Sequence, residues 1–161
     1  MKKRESKLWQ RIKKNCVKPH FTRLESNTIN GIPDVNGCWA GHDFWIELKS
    51  DEASYPKLSK WQISWINKRV KHGGIVLICK ETLSECSLKL YGPLSAFTDA
   101  RKLKPRFKFA APIHWLSVQA AIWEIIDHRI VRARYKSERE TRKFIKDLEA
   151  DGLSPLELSR Q

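Results

Sequence analysis

Apolar and polar positions change period several times along the chain, and each change marks an element. In residues 4–15, Leu8, Trp9 and Ile12 recur at helical spacing with Glu5 on the same face, which predicts an amphipathic helix. Residues 20–25 have the make-up of a short strand. Residues 26–33 hold Asn27, Asn30, Gly31 and Pro33 and read as a turn-rich loop. Two more strands are predicted at 34–40 and 43–49, with Gly41-His42 as the tight turn between them. Residues 58–71 are helical in period, with Leu58, Trp61, Gln62, Trp65 and Ile66 on one face and Gly73-Gly74 as the stop. A buried strand at 75–80 and another at 87–91 follow, the second ended by Gly92-Pro93. Residues 94–101 suggest a short helix.

That order of helix, three strands, helix and two strands predicts an α/β sandwich with a mixed sheet. Composition shifts near residue 100, where we place a soft boundary: a core over 1–100 and a basic, mainly helical C-terminal extension over 101–161. Within the extension, residues 101–115 read as a basic-aromatic linker or strand, and 117–135 and 137–150 as two helices. The 161 residues suffice for one domain with a real core, and seven tryptophans supply large buried areas. No aliphatic run approaches a membrane span; the longest is Ile75 to Cys79. The first residues lack the apolar stretch of a signal peptide, so the expected location is the cytoplasm. Cys16, Cys38, Cys79 and Cys86 form no C-x-x-C pair and the histidines no metal-binding spacing, which argues for reduced, mostly buried thiols rather than structural zinc.

Charge sharpens the picture. Lys and Arg number 31 against 18 Asp and Glu, a formal net of +13. Such an excess repels itself in a compact state and is best explained by a polyanionic partner, of which nucleic acid is the usual one. The excess is uneven. Residues 1–20 carry eight Lys/Arg and one Glu, and residues 129–146 carry eight Lys/Arg and two Glu. Residues 25–52 instead carry six acids (Glu25, Asp34, Asp43, Glu47, Asp51, Glu52) and one base, Lys49. An acidic island in a basic chain is what metal-dependent cleavage of nucleic acid requires.

Within that island, strand alternation points Phe44, Ile46 and Leu48 to one face and Trp45, Glu47 and Lys49 to the other. Glu47 and Lys49 then stand roughly 7 Å apart along the strand. Charged groups in so apolar a strand need a reason. A hairpin at 41–42 would bring Asp34, just after the Pro33 turn, back beside them. Two carboxylates and one ammonium are the set phosphodiester hydrolysis uses. Mg²⁺ takes one or two carboxylates and leaves its other positions to water and phosphate, and a lysine steadies the developing charge.

Gly31-Ile32-Pro33-Asp34 and then Glu47-Leu48-Lys49-Ser50, separated by a gap of 12 residues from Asp34 to Glu47, resemble the PD-(D/E)XK nuclease signature. Leu58-Ser59-Lys60-Trp61-Gln62 followed by Gly73-Gly74-Ile75-Val76 is similar to the VRR-NUC branch and related phage endonucleases, including junction resolvases. The resemblance covers roughly residues 5–80. It implies a restriction-endonuclease-like core and Mg²⁺, replaceable by Mn²⁺, held by Asp34, Glu47 and the backbone carbonyl of Leu48. It further implies Lys49 as catalytic lysine and Gln62 as supporting glutamine. The acid such enzymes often draw from the first helix would be Glu5, with Glu25 competing. DNA is the implied substrate, with RNA still open, in the cytoplasm of a cell or of a phage's host. A homodimer is implied where two strands are cut symmetrically, and no organic cofactor is called for.

The basic residues Lys2, Lys3 and Arg4, and Arg129, Arg132, Arg134 and Lys136 as a helix face, are candidate phosphate contacts. His42 reads as an exposed turn residue rather than a base, and Trp39 and Trp45 as packing rather than stacking platforms. Three functions stay in contention: a structure-selective or nicking endonuclease, a sequence-specific restriction-type enzyme, and a nuclease-like fold that only binds DNA.

Overall fold

The computed structural model describes residues 3–24 and 29–150. Glu25 and Lys2, named above as candidates, lie outside the described residues. Six strands form one mixed sheet in the order β1 (His20–Arg23), β2 (Val35–Trp39), β3 (His42–Asp51), β4 (Ile75–Thr82), β5 (Ser87–Tyr91), β6 (Phe107–Ala110). β3 and β4 run parallel and every other neighbouring pair antiparallel. The parallel step needs a crossover, which α2 (Lys60–Lys71) supplies. α1 (Lys3–Asn15) precedes the sheet and α3 (Trp115–Ala150) follows it. This is the α/β sandwich expected. No helix among the described residues is long and apolar enough to cross a membrane.

Alternation along β3 sorts the layers. Phe44, Ile46 and Leu48 are buried on the side of α1, whose Leu8, Trp9 and Ile12 are also buried. Trp9, Phe21 and Phe44 pack edge to face there. On the opposite side, Ile66 and Val70 of α2 join Val76, Ile78, Tyr91 and Leu94 in a core that Trp45 and Trp65 flank. The β2–β3 hairpin turns at Ala40-Gly41, one residue earlier than expected. Trp39 pairs with His42, and both turn residues have positive φ, 50° and 80°. A two-residue hairpin turn of that kind follows the twist of the strands, and glycine at its second position removes half the steric cost.

Two helix predictions need correction. Residues 94–101 form no α-helix, only a 3-10 turn at Ala100–Lys102. Asn67 of α2 explains it: its amide donates to the Phe97 carbonyl at 2.7 Å and accepts from the Phe97 N–H at 3.0 Å. The side chain takes both backbone groups a helix would need, so the segment stays irregular. The two C-terminal helices are one, α3, running through Ser137. A serine lowers helix propensity by well under 1 kcal/mol and, with no Gly or Pro beside it, does not end a helix. The basic-aromatic segment after residue 101 provides β6, so the sheet draws on residues beyond the change in composition. By contacts the chain forms two compact units, the first ending at Asp127 and the second beginning at His128. Within the first unit, Val118, Ala121, Ile122, Ile125 and Ile126 of α3 are buried. The thiols are free as expected, but Cys38 is half-buried and Cys86 exposed, leaving only Cys16 and Cys79 in the core.

Candidate active site

The site forms where β3 outruns β2. β2 begins at Val35, opposite Ile46, whereas β3 continues to Asp51 beside β4. From Glu47 onward, β3 therefore has no strand on its β2 side among the described residues. Asp34, one residue before β2, fills the first gap: its carboxylate accepts the Leu48 N–H at 2.8 Å. The same register sets Asp34 across from Glu47. The hairpin thus brings both acids together, as the sequence spacing suggested.

Glu47 is 0% exposed. Its Oε1 accepts from Lys49 Nζ at 2.6 Å and from the Gln62 side-chain amide. Its Oε2 is buried with no hydrogen-bond partner among the described residues. Burial, reinforced by the negative charges of Asp34 and Glu5 and opposed by Lys49, pushes its pKa from 4.5 up to about 8. Asp34 is raised too, chiefly by burial, although the Leu48 N–H, Lys49 and Arg23 pull against it. Burial alone would depress Lys49. The carboxylates of Glu47, Glu5 and Asp34 outweigh it and hold the ammonium above its ordinary value.

Glu5 joins this group from α1. It is buried, and its Oε1 lies 3.9 Å from Lys49 Nζ. Gln62 arrives from α2 in a fixed orientation. Ser59 caps that helix, accepting the Gln62 N–H at 3.2 Å, and Gln62 Oε1 accepts the Ser59 N–H at 2.9 Å. This reciprocal cap occupies the amide oxygen and leaves the amide nitrogen to face Glu47. Asp34, Lys49, Gln62, Glu5 and Ser59 line an open cavity of about 600 Å³ together with Arg23, Ile29, Asn30 and Trp61. Two neighbours of Glu47, Lys49 and Gln62, thus face the cavity.

These residues fit a hard divalent cation. A buried carboxylate oxygen with no donor, next to a second carboxylate, lacks a positive partner, and such groups are costly unless neutralised. In the absence of a cation, the raised pKa of Glu47 lets a proton take that place. Among the described residues no cluster of three or more His, Cys, Asp or Glu could hold an ion by itself. Mg²⁺ does not need one, since it keeps several waters and binds through one or two carboxylates plus substrate phosphate. Leu48 enters the geometry through its N–H.

Other candidates fall elsewhere. His42 is half-buried in the hairpin. Trp39 packs on Trp123 and Trp45 on Trp65, each at 5.0 Å between ring centroids, so both are packing residues. Lys3 and Arg4 are exposed on α1, where Arg4 pairs with Glu52 at 3.2 Å. In α3, helical spacing sets Arg129, Arg132 and Lys136 on one face and Arg134 on the opposite one, so the four do not form a single face. Trp61 was expected on the buried face of α2 but is exposed. Arg23, Ile29 and the Ser59 cap were not anticipated. Only the cap had a sequence signal, Ser-x-x-Gln ahead of an apolar run.

No protein-family model matches the chain, and no curated protein matches it in sequence. Among solved structures it is similar to Hjc, a Holliday junction resolvase from the archaeon Archaeoglobus fulgidus, at 14% identity and a TM-score of 0.43. The match covers 70% of this chain and 90% of that one.

Proposed function

We propose that this chain is a Mg²⁺-dependent endonuclease of the PD-(D/E)XK type that hydrolyses phosphodiester bonds in DNA, selecting DNA structure as resolvases do or nicking one strand. The observation that carries the reading is the gathering of Asp34, Lys49 and Gln62 about the buried Glu47, whose Oε1 takes both Lys49 and Gln62 while its Oε2 has no donor among the described residues. Asp34 and Glu47, with the Leu48 carbonyl, would hold the ion. Bound there, a divalent ion supplies a more acidic water and neutralises charge on the phosphate.

The protein's own residues do the rest. The Leu48 N–H fixes the Asp34 carboxylate, and the Ser59–Gln62 cap fixes Glu47 from the other side. Lys49 carries a positive charge into a largely desolvated notch, where it stabilises an anionic transition state more than it would in water. Glu5 keeps that charge in place. Lys3 and Arg4, and in the second unit Arg129, Arg132 and Lys136, are the phosphate contacts we propose for binding. Symmetric cutting of two strands calls for two copies of the site, hence a homodimer.

The test is cleavage and binding of linear, flapped and four-way DNA with Mg²⁺ or Mn²⁺. Wild type is expected to cut, and Glu47→Ala to bind with nearly unchanged affinity while cutting at least about 10³-fold more slowly, given the effects of removing transition-state electrostatics. Binding should weaken steeply with salt. Cutting in EDTA, or full activity in Glu47→Ala, would overturn the mechanism. Binding without any cutting by wild type would leave a DNA-binding module.

A further inference from the structure

All seven tryptophans lie in described residues, and Trp61 alone is exposed, at 54%. The others are buried or half-buried. Leaving an indole in water forfeits one of the largest apolar gains a side chain offers. Trp61 forfeits it at a particular place, the lining of the cavity that holds Asp34, Lys49 and Gln62. Ile29, also 54% exposed, lies in the same lining. The lining is mostly polar; Leu24 and Ile32 are its other large apolar residues, and only Trp61 and Ile29 among the four are exposed.

The position of Trp61 is fixed by its backbone. It sits in the first turn of α2, between the Ser59 cap and Gln62, and its carbonyl is pressed against Gly31. A Cβ at Gly31 would come within 2.3 Å of the Trp61 carbonyl oxygen, and Gly31 has φ +85°, so only glycine permits this approach. The loop before Asp34 and the helix carrying Gln62 are thereby locked with the indole at the rim. Lys60 Nζ lies over one face of the ring, 5.0 Å from its centre, adding a positive charge and leaving the other face for a base. A rigid aromatic plate, a neighbouring lysine and a basic chain together match a base on its phosphate backbone.

We infer that Trp61 is a substrate-reading residue that stacks an unpaired nucleobase beside the scissile phosphate. A base inside a duplex has both faces covered and gives the indole nothing to stack on. A base at a flap, a junction or a frayed end offers its face. Trp61 therefore selects DNA that is locally unpaired at the cavity mouth. The inference rests on the nuclease reading for the identity of the cavity, and its test reads binding alone, so the two can fail separately.

The experiment measures fluorescence anisotropy in EDTA with labelled blunt duplex, and with the same duplex carrying a single-stranded flap, for wild type, Trp61→Phe and Trp61→Ala. A 2-aminopurine at the first unpaired position reports stacking. Trp61→Ala should lose affinity for the flap on the order of ten-fold, change duplex affinity less than two-fold and restore the 2-aminopurine emission that wild type quenches. Trp61→Phe should keep most of the flap preference. Equal weakening on both DNAs, no weakening on either, or unquenched 2-aminopurine with wild type would overturn the inference. Failure of wild type to cut DNA would sink the nuclease reading without deciding this measurement.

Discussion

Lys49 and Lys80 face each other in register on neighbouring strands, and each meets a carboxylate. Their surroundings differ sharply. Lys80 is 0% exposed and uses its ammonium fully: it donates to the Asp51 carboxylate at 2.8 Å, the Asp51 carbonyl at 3.0 Å and the Glu81 carbonyl at 2.8 Å. Burial works against the charge on Asp51, but bonds from Lys80 and the Ala53 N–H prevail and hold its pKa below the usual range. One strand away, Glu47 shares a single oxygen between Lys49 and Gln62 while the other has no donor, and its pKa rises. The first cluster is complete and acts as a fastening. The second has too much negative charge for its partners and calls for a further cation. Satisfaction, more than burial or residue type, separates the structural pair from the candidate chemical one.

Exchanging each lysine for methionine gives the largest test of that contrast. Lys49→Met should cut DNA about 10²- to 10³-fold more slowly and lose less stability than Lys80→Met, because Glu47, its pKa already raised by burial, can take up a proton in place of the lost charge. Lys80→Met should keep cleavage per folded molecule within about two-fold, yet lose about 3 kcal/mol of stability, because a carboxylate loses the partner of a buried pair. Urea melts and single-turnover cleavage measure the two effects. If Lys80→Met stays folded and stops cutting, the division between fastening and chemistry is wrong.

Much of this contrast was legible beforehand. Alternation in residues 44–49 set Glu47 and Lys49 on one face, and the Pro33-Asp34 turn with a hairpin brought Asp34 to them. These are local rules, fixed by the period of two and by turn chemistry. Features that depend on contacts between distant elements were not legible. Residues 94–101 carry helix-compatible side chains, but Asn67, some 30 positions earlier, takes the Phe97 backbone groups and keeps the segment irregular. Helical spacing placed Trp61 in the apolar stripe. Its exposure follows from where the first turn of α2 meets the Gly31 loop, which no periodicity encodes. The pairing of Asp51 with Lys80 was not legible either, because the two lie on different strands.

The incomplete charge balance at Glu47 should also appear as a pH effect on stability in the absence of metal. A carboxyl whose folded pKa lies above its unfolded value binds its proton more tightly when folded. Its contribution is therefore fully present below the unfolded value of 4.5 and is lost as pH rises to about 8. Glu47→Gln cannot lose it. The variant should gain on wild type through that window and be more stable by about 2 kcal/mol at pH 9, less than Glu47 alone would give because Lys49 shares the charge. Mg²⁺ should narrow the gap by stabilising wild type alone. Parallel melting curves from pH 4 to 9 with EDTA or Mg²⁺ test this, and a pH-independent difference would mean that Glu47 is already satisfied.

The smallest expected effect probes how the chemical cluster depends on a structural device. Ser59 touches neither carboxylate, but its cap occupies the oxygen of Gln62 and so directs the amide nitrogen to Glu47. Ser59→Ala should cost about 1 kcal/mol of stability as a lost N-cap. If the cap also positions Gln62, cleavage should fall by about ten-fold, the scale of losing a group that orients a metal ligand. Ser59→Asp, which retains a capping oxygen, should restore both stability and rate. Loss of stability without loss of rate would show that Gln62 finds Glu47 unaided. The capping box would then belong with Lys80 among the fastenings.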